Sequence, residues 1–259
     1  ERAGEKRTRR RETNAQASDE RAFAPLVPRM REEQAGRMAT STPENWRLVD
    51  DYIAGVLVRH DPALDEVIER QRAAGLPAIE VAPLAGKLLT LLAQVSGARR
   101  VLEIGTLGGY STIWLARGIP SHGRVVTLEA EAAHAAVARA NLERAGVSEK
   151  VEIKIGNAAE TLPTLMGQEP FDFVFIDADK QSNTTYLDWA ARLGRPGTVI
   201  VLDNIGRNGD VNDPDSTDPM VIGTRAALEM LGTDPRFEAT ALQTVGMKGW
   251  DGIAVAIVR

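Results

Sequence analysis

Phe171-Asp172-Phe173-Val174-Phe175-Ile176-Asp177-Ala178-Asp179-Lys180 decides the fold of this chain, together with Val199-Ile200-Val201-Leu202-Asp203-Asn204. Each apolar run is too short for a buried helix and too uniformly apolar for a strand with one wet face. Each therefore reads as a fully buried strand. Carboxylates at the ends of such strands are not packing residues. If the two strands are parallel neighbours, Asp177, Asp203 and Asn204 meet at one edge of the sheet as three oxygen donors beside Lys180. A hard divalent cation requires such a set, and a cation beside an amine points to an activated oxygen nucleophile. Alone, Asp177 and Asp179 could cap the helix that begins near Thr184, with Lys180 solvated. The second set of oxygen donors at Asp203-Asn204 favours the site.

The same alternation runs outward in both directions. Strands are expected at 100–104, 125–128, 151–155, 171–176 and 198–202, with helices between them at 111–116, 131–145, 158–166 and 184–193. Strand and helix in strict turn mean right-handed crossovers and a parallel sheet covered on both faces. Ligand sites of such sheets lie beyond the carboxyl ends of the strands. After the fifth strand the pattern changes to a polar loop over 206–218, a helix over 220–231, and two closely spaced strands at 237–245 and 252–258, an antiparallel edge hairpin. Upstream, Thr42-Pro43-Glu44 and Asp61-Pro62 are helix starts, the first leading Trp46, Val49, Tyr52, Ile53, Val56 and Leu57 at helical spacing, and a third helix is expected over 84–94. The expected class is α/β: a doubly wound, mostly parallel seven-stranded sheet with an antiparallel edge hairpin and N-terminal helices.

The 259 residues, 43% hydrophobic and 26% charged, suffice for one large domain. Zero cysteines exclude disulfides and thiolate metal sites, and the three histidines His60, His122 and His134 have no ligand spacing and read as surface residues. Any metal site must be built from oxygen. No apolar run spans a membrane and no signal peptide is legible, so a cytoplasmic protein without membrane contact is expected. Net charge is −5, but the first 37 residues hold 10 Lys/Arg against 7 Asp/Glu, leaving an acidic body of 21 against 29. That balance argues against a nucleic-acid partner. Residues 1–40 lack apolar periodicity and read as a disordered tail or an extension upstream of a start at Met38. Residues 41–259 read as a single domain.

The first expected strand runs into Glu103-Ile104-Gly105-Thr106-Leu107-Gly108-Gly109-Tyr110-Ser111. Glycines there let a ligand approach the backbone and the helix amino end. The spacing is not G-x-G-x-x-G, and Glu103 disfavours a pyrophosphate, so a cationic or hydroxyl-bearing ligand suits it. A tight turn without ligand also fits. Glu129 ends the second strand where an acid commonly holds ribose hydroxyls, and Gly156-Asn157-Ala158 ends the third, where an adenine edge would lie. Each could equally be an ordinary helix opening.

These residues resemble the class I S-adenosylmethionine-dependent methyltransferases, and within them the cation-dependent O-methyltransferases related to caffeoyl-CoA and catechol O-methyltransferases. The likeness covers Trp46 to Arg259. Its generic part is Val101-Leu102-Glu103-Ile104-Gly105, and its specific part is Asp177-Ala178-Asp179-Lys180 with Asp203-Asn204. The resemblance implies Val81, Glu103, Gly105, Ser111, Glu129, Ala158 and Asp179 as contacts of S-adenosylmethionine, and Asp177, Asp203 and Asn204 as ligands of a divalent cation, Mg²⁺ by default with Mn²⁺ or Ca²⁺ as fits. It implies Lys180 as general base, Asp177 and Asn208 as substrate contacts, and a homodimer. Plant members carry Leu-Trp after Asp-Asn where this chain has Gly206-Arg207, which points to a small free phenol as acceptor. Two other readings stay open: methylation of a hydroxylated tRNA base, and cofactor binding without turnover.

Overall fold

A computed structural model describes residues 41–259, and the tail expected over residues 1–40 lies outside the described residues. Three helices lead: α1 (Pro43–Leu57), α2 (Pro62–Ala73) and α3 (Pro83–Val95). Each starts on a proline, whose missing N–H costs nothing in the first turn. Thr42 and Asp61 cap the first two by accepting hydrogen bonds from Asn45 N–H and Ala63 N–H. The alternation follows as β1 (Arg100–Ile104), α4 (Tyr110–Gly118), β2 (Arg124–Glu129), α5 (Ala132–Arg144), β3 (Val151–Ile155), α6 (Ala158–Thr161), β4 (Phe173–Ile176), α7 (Asn183–Leu193) and β5 (Val199–Asp203). The chain closes with α8 (Pro219–Thr233) and the hairpin β6 (Phe237–Gly246) and β7 (Gly249–Val258).

The strands form one seven-stranded sheet in the order β3-β2-β1-β4-β5-β7-β6. The first five are parallel, and β7 runs antiparallel to both β5 and β6. The order reverses between β1 and β4, where open sheets of this kind make a crevice for ligands. Along β4 the side chains alternate: Phe173 and Phe175 join the core layer under α2 to α5, while Val174 and Ile176 join the layer under α7 and α8. Both layers are apolar, which is why the run shows no polar alternation.

Three expected boundaries shift for identifiable reasons. β4 begins late because Phe171 gives its N–H to Leu193 C=O (2.9 Å) and its C=O accepts from the Thr198 hydroxyl (2.7 Å) instead of pairing with a neighbouring strand, while Asp172 already bonds both neighbours through Arg100 C=O and Val199 N–H. The helix expected over 158–166 is one α turn followed by a 3₁₀ stretch, Leu162–Leu165, because Pro163 has no N–H for a fourth-residue bond. β7 starts three residues early and carries the pairing down to Gly249 opposite Gly246. Among the described residues no helix is long and apolar enough to cross a membrane.

Candidate active site

Register makes the site. Ile104 pairs with Leu128 and with Ile176, and Ile176 pairs with Leu202. The next residues along, Gly105, Glu129, Asp177 and Asp203, therefore stand in one row beyond the carboxyl edge of the sheet. Gly105 is there because nothing else fits: its φ is 102°, and a Cβ would come within 2.4 Å of the Asp177 carbonyl oxygen. Above the row opens a cavity of about 620 Å³, a size ordinary for a small-molecule site.

Most of the expected site residues come together around it. Val81, Gly105, Ser111, Glu129, Ala158, Asp177, Asp179, Lys180 and Asn204 all line the cavity. Three do not. Glu103 is wholly buried behind the wall, Asp203 stands beside Asp177 but off the lining, and Asn208 is exposed on the loop after β5.

At the end near α4, Glu103 takes hydrogen bonds from the hydroxyls of Ser111 (2.6 Å) and Thr112. Burial raises its carboxyl from 4.5 to about 7, even though the bonds from Ser111, Thr112 and Thr127 pull the other way. When Glu103 is ionised, Ser111 spends its proton behind the wall and offers the cavity only lone pairs, an acceptor suited to an ammonium group. Glu129 accepts from the N–H groups of Thr106 (3.3 Å), Leu107 (2.7 Å) and Glu131 (3.0 Å), so the acid also fixes the glycine turn. His134, expected on the surface, instead lines the cavity half-buried with Nδ1 3.4 Å from Glu129. Its place on α5, facing the end of β2, had no signal in the sequence.

At the other end, Lys180 is buried, its side chain 4% exposed, with Nζ 2.8 Å from Asp177 Oδ1. Asp179 accepts from Ser182 N–H at 3.1 Å and from the Tyr186 hydroxyl. Burial works against its charge, but these bonds outweigh it and hold the carboxyl below the ordinary range. The Asp203 carboxyl is pushed up to about 7 by burial and by the neighbouring Asp177, against the pull of Lys180. Two carboxylates crowded at one strand edge with a single ammonium between them are under-neutralised, and with the Asn204 carboxamide they offer oxygen donors to a hard cation. Among the described residues no cluster of three or more His, Cys, Asp or Glu side chains could hold a metal, so a cation here would rest on two acids and an amide.

The loop after β5 is irregular, with left-handed φ at Asn204 (59°), Arg207 (50°) and Asn208 (55°). Arg207 lines the cavity against Met220, with its Nη2 3.6 Å from Sδ and its Nε buried without a hydrogen-bond partner. Arg207 stands on a loop, which offers no periodicity from which to read a lining residue, and Met220 opens α8, where sequence spacing does not show which side faces the cavity.

A crevice at the strand reversal, a cradle for an amine and a carboxylate-amine cluster together define a small-molecule enzyme of the α/β class. Residues 56–257 match the family model described as O-methyltransferase. A catechol O-methyltransferase from Mycobacterium tuberculosis is 55% identical over 211 residues, 82% of this chain and 95% of that protein. A second, from Niastella koreensis, is 51% identical over 213 residues, 82% and 96% of the two chains. The crystal structure of the O-methyltransferase from Bacillus cereus in complex with SAH superposes with a TM-score of 0.83 at 54% identity, covering 84% of this chain and all of that one. The O-methyltransferase TomG from Streptomyces achromogenes, in complex with SAM, gives 0.81 at 47%, covering 83% and 98%. The chain belongs to the O-methyltransferase family, and its sheet is the Rossmann-like methyltransferase fold.

Proposed function

We propose that this protein transfers the methyl group of S-adenosylmethionine to one hydroxyl of a catechol-type phenol, with a divalent cation held by Asp177, Asp203 and Asn204 and with Lys180 as general base. The observation that carries this reading is the juxtaposition of a buried Lys180 amine, 2.8 Å from Asp177, with an under-neutralised pair of acids at the same cavity edge. Its relatives named as catechol O-methyltransferases support the acceptor class.

Each residue has a distinct task. Gly105 keeps the wall low where the donor would lie against the backbone, Ser111 would accept from its amino group, and Glu129 and the Asn157-Ala158 turn would hold its nucleoside half. Bound beside Lys180, the cation would lower the pKa of a chelated hydroxyl and fix two adjacent oxygens in one orientation. Lys180, as the neutral amine, would take the proton and become the ammonium, and Asp177 holds it in reach.

Labelled S-adenosylmethionine with a panel of phenols tests this directly. Chelator-treated enzyme should be inactive and recover with Mg²⁺ or Mn²⁺, and a vicinal diol should be methylated far better than its monophenol. Full activity in excess chelator, or equal specificity constants for the two phenols, would remove the chelation mechanism.

A further inference from the structure

Asp251 on β7 has no part in the chemistry above, yet its carboxylate organises the loop that carries Asn204. Its Oδ1 accepts from the backbone N–H groups of Gly206 (2.9 Å), Arg207 (3.2 Å) and Gly252 (3.0 Å). Its Oδ2 accepts from the side-chain Nδ2 of Asn204 at 3.1 Å. The approach is close enough to require glycine: a Cβ on Gly206 would lie 2.7 Å from the Asp251 carbonyl carbon. A backbone bond from Ile205 N–H to Gly252 C=O, 3.1 Å, ties the same two segments together.

A carboxylate has no proton to give, so the group that Asn204 turns toward it must be the NH₂. The carbonyl oxygen of that carboxamide is then left for the cavity, and it accepts no hydrogen bond from any described residue. We infer that Asp251 is a positioning residue that fixes which end of the Asn204 carboxamide faces Asp177 and Asp203. The inference rests on the proposed cation site, because only there does the choice matter: an amide oxygen ligates a hard cation, and an NH₂ in its place repels it. The left-handed backbone at Arg207 is held by the same carboxylate, while Asn204 N–H goes to Asp203 Oδ1 (2.8 Å), so Asp251 sets both the path of the loop beyond Asn204 and the polarity of its functional tip.

Exchange of amide and acid between the two positions tests this. Asp251→Asn keeps an oxygen to accept the three backbone N–H groups but sets an NH₂ against Asn204, whose carboxamide must turn over. Mn²⁺ affinity measured by calorimetry should fall about 10- to 100-fold, the usual scale for a partner that orients a metal ligand. S-adenosylhomocysteine affinity and melting temperature should stay near those of the parent. Asn204→Asp combined with Asp251→Asn restores a donor-acceptor pair and returns an oxygen to the cavity, so Mn²⁺ affinity should recover. Unchanged Mn²⁺ affinity in Asp251→Asn overturns the inference. So does a loss that the paired exchange fails to reverse, or one matched by equal losses in melting temperature and S-adenosylhomocysteine affinity, which is what a purely structural role predicts. A parent enzyme with no Mn²⁺ affinity overturns the cation reading itself, and this inference with it.

Discussion

Lys180 and Asp177 touch each other, yet they should fail differently when removed. Lys180→Ala deletes the proposed base and should lower turnover roughly 10²- to 10⁴-fold while cation and cofactor affinities hold. Asp177→Ala deletes a proposed ligand charge that Asp203 and Asn204 could not replace, so cation affinity itself should drop. Single-turnover rates and calorimetry on both variants separate the roles, and parental turnover in Lys180→Ala across pH would remove the base. Glu103 supports a prediction of another kind. Its folded-state carboxyl, raised from 4.5 to about 7, binds a proton more tightly than in the unfolded chain. The stability this contributes is fully present below about pH 4.5 and is lost as pH rises through about 7, on the order of 3 kcal/mol in all. Denaturant unfolding of the ligand-free protein and of Glu103→Gln should therefore give stability curves that diverge between those limits. Parallel curves would show that the burial of Glu103 does not govern its proton.

At the scale of elements, what could be read from sequence was whatever local pattern encodes. β4 and β5 were legible because both faces are buried, and their acidic ends were legible because a carboxylate cannot continue such a strand. The strand expected from Phe171 opens later because Phe171 bonds to Leu193 and Thr198 instead of to a neighbouring strand, which no hydropathy pattern records. Asp251 was invisible for a different reason. Its bond to Asn204 spans 47 positions across the hairpin, and hairpin register is not written in the strand it serves. β6 carries little alternation to fix that register, since all but its end residues are exposed. Gly105 joins the two levels, because its contact with Asp177 is a property of the β1–β4 register. Gly105→Ala adds left-handed strain and a backbone clash, each worth about 1–3 kcal/mol, and must push Asp177 outward. Gly146→Ala is the control, with φ 68° and nothing within 4 Å of a new Cβ. Both variants should melt lower, but only Gly105→Ala should lose cofactor and cation affinity. Equal loss of affinity in both would mean that the close approach has no functional role.

For the whole molecule, the unexplained feature is α1. Its apolar residues recur at helical spacing as the sequence suggested, yet none of its fifteen residues is buried, and Leu48, Val49, Tyr52, Val56 and Leu57 are each more than half exposed. An amphipathic helix draws its stability from an apolar face packed on something. The described chain covers little of this one. The helix is nonetheless anchored: Asp50 accepts from Met247 N–H at 2.8 Å in the hairpin turn, and α1 runs along β6, whose Leu242 and Val245 are exposed as well. An unpacked apolar helix face marks an interaction surface, and the homodimer that the family resemblance implies would have its seam here, with a second copy supplying the missing layer. Sedimentation should then give about twice the 28.0 kDa of the chain. Val49→Lys combined with Val56→Lys should yield a folded monomer, since neither side chain belongs to the core. Deleting residues 1–37 should leave the dimer and its melting temperature unchanged. A monomeric parent protein at micromolar concentration, or a dimer that survives both lysines, would move the seam elsewhere, and a dimer that forms only after the deletion would make those residues the natural cover of α1.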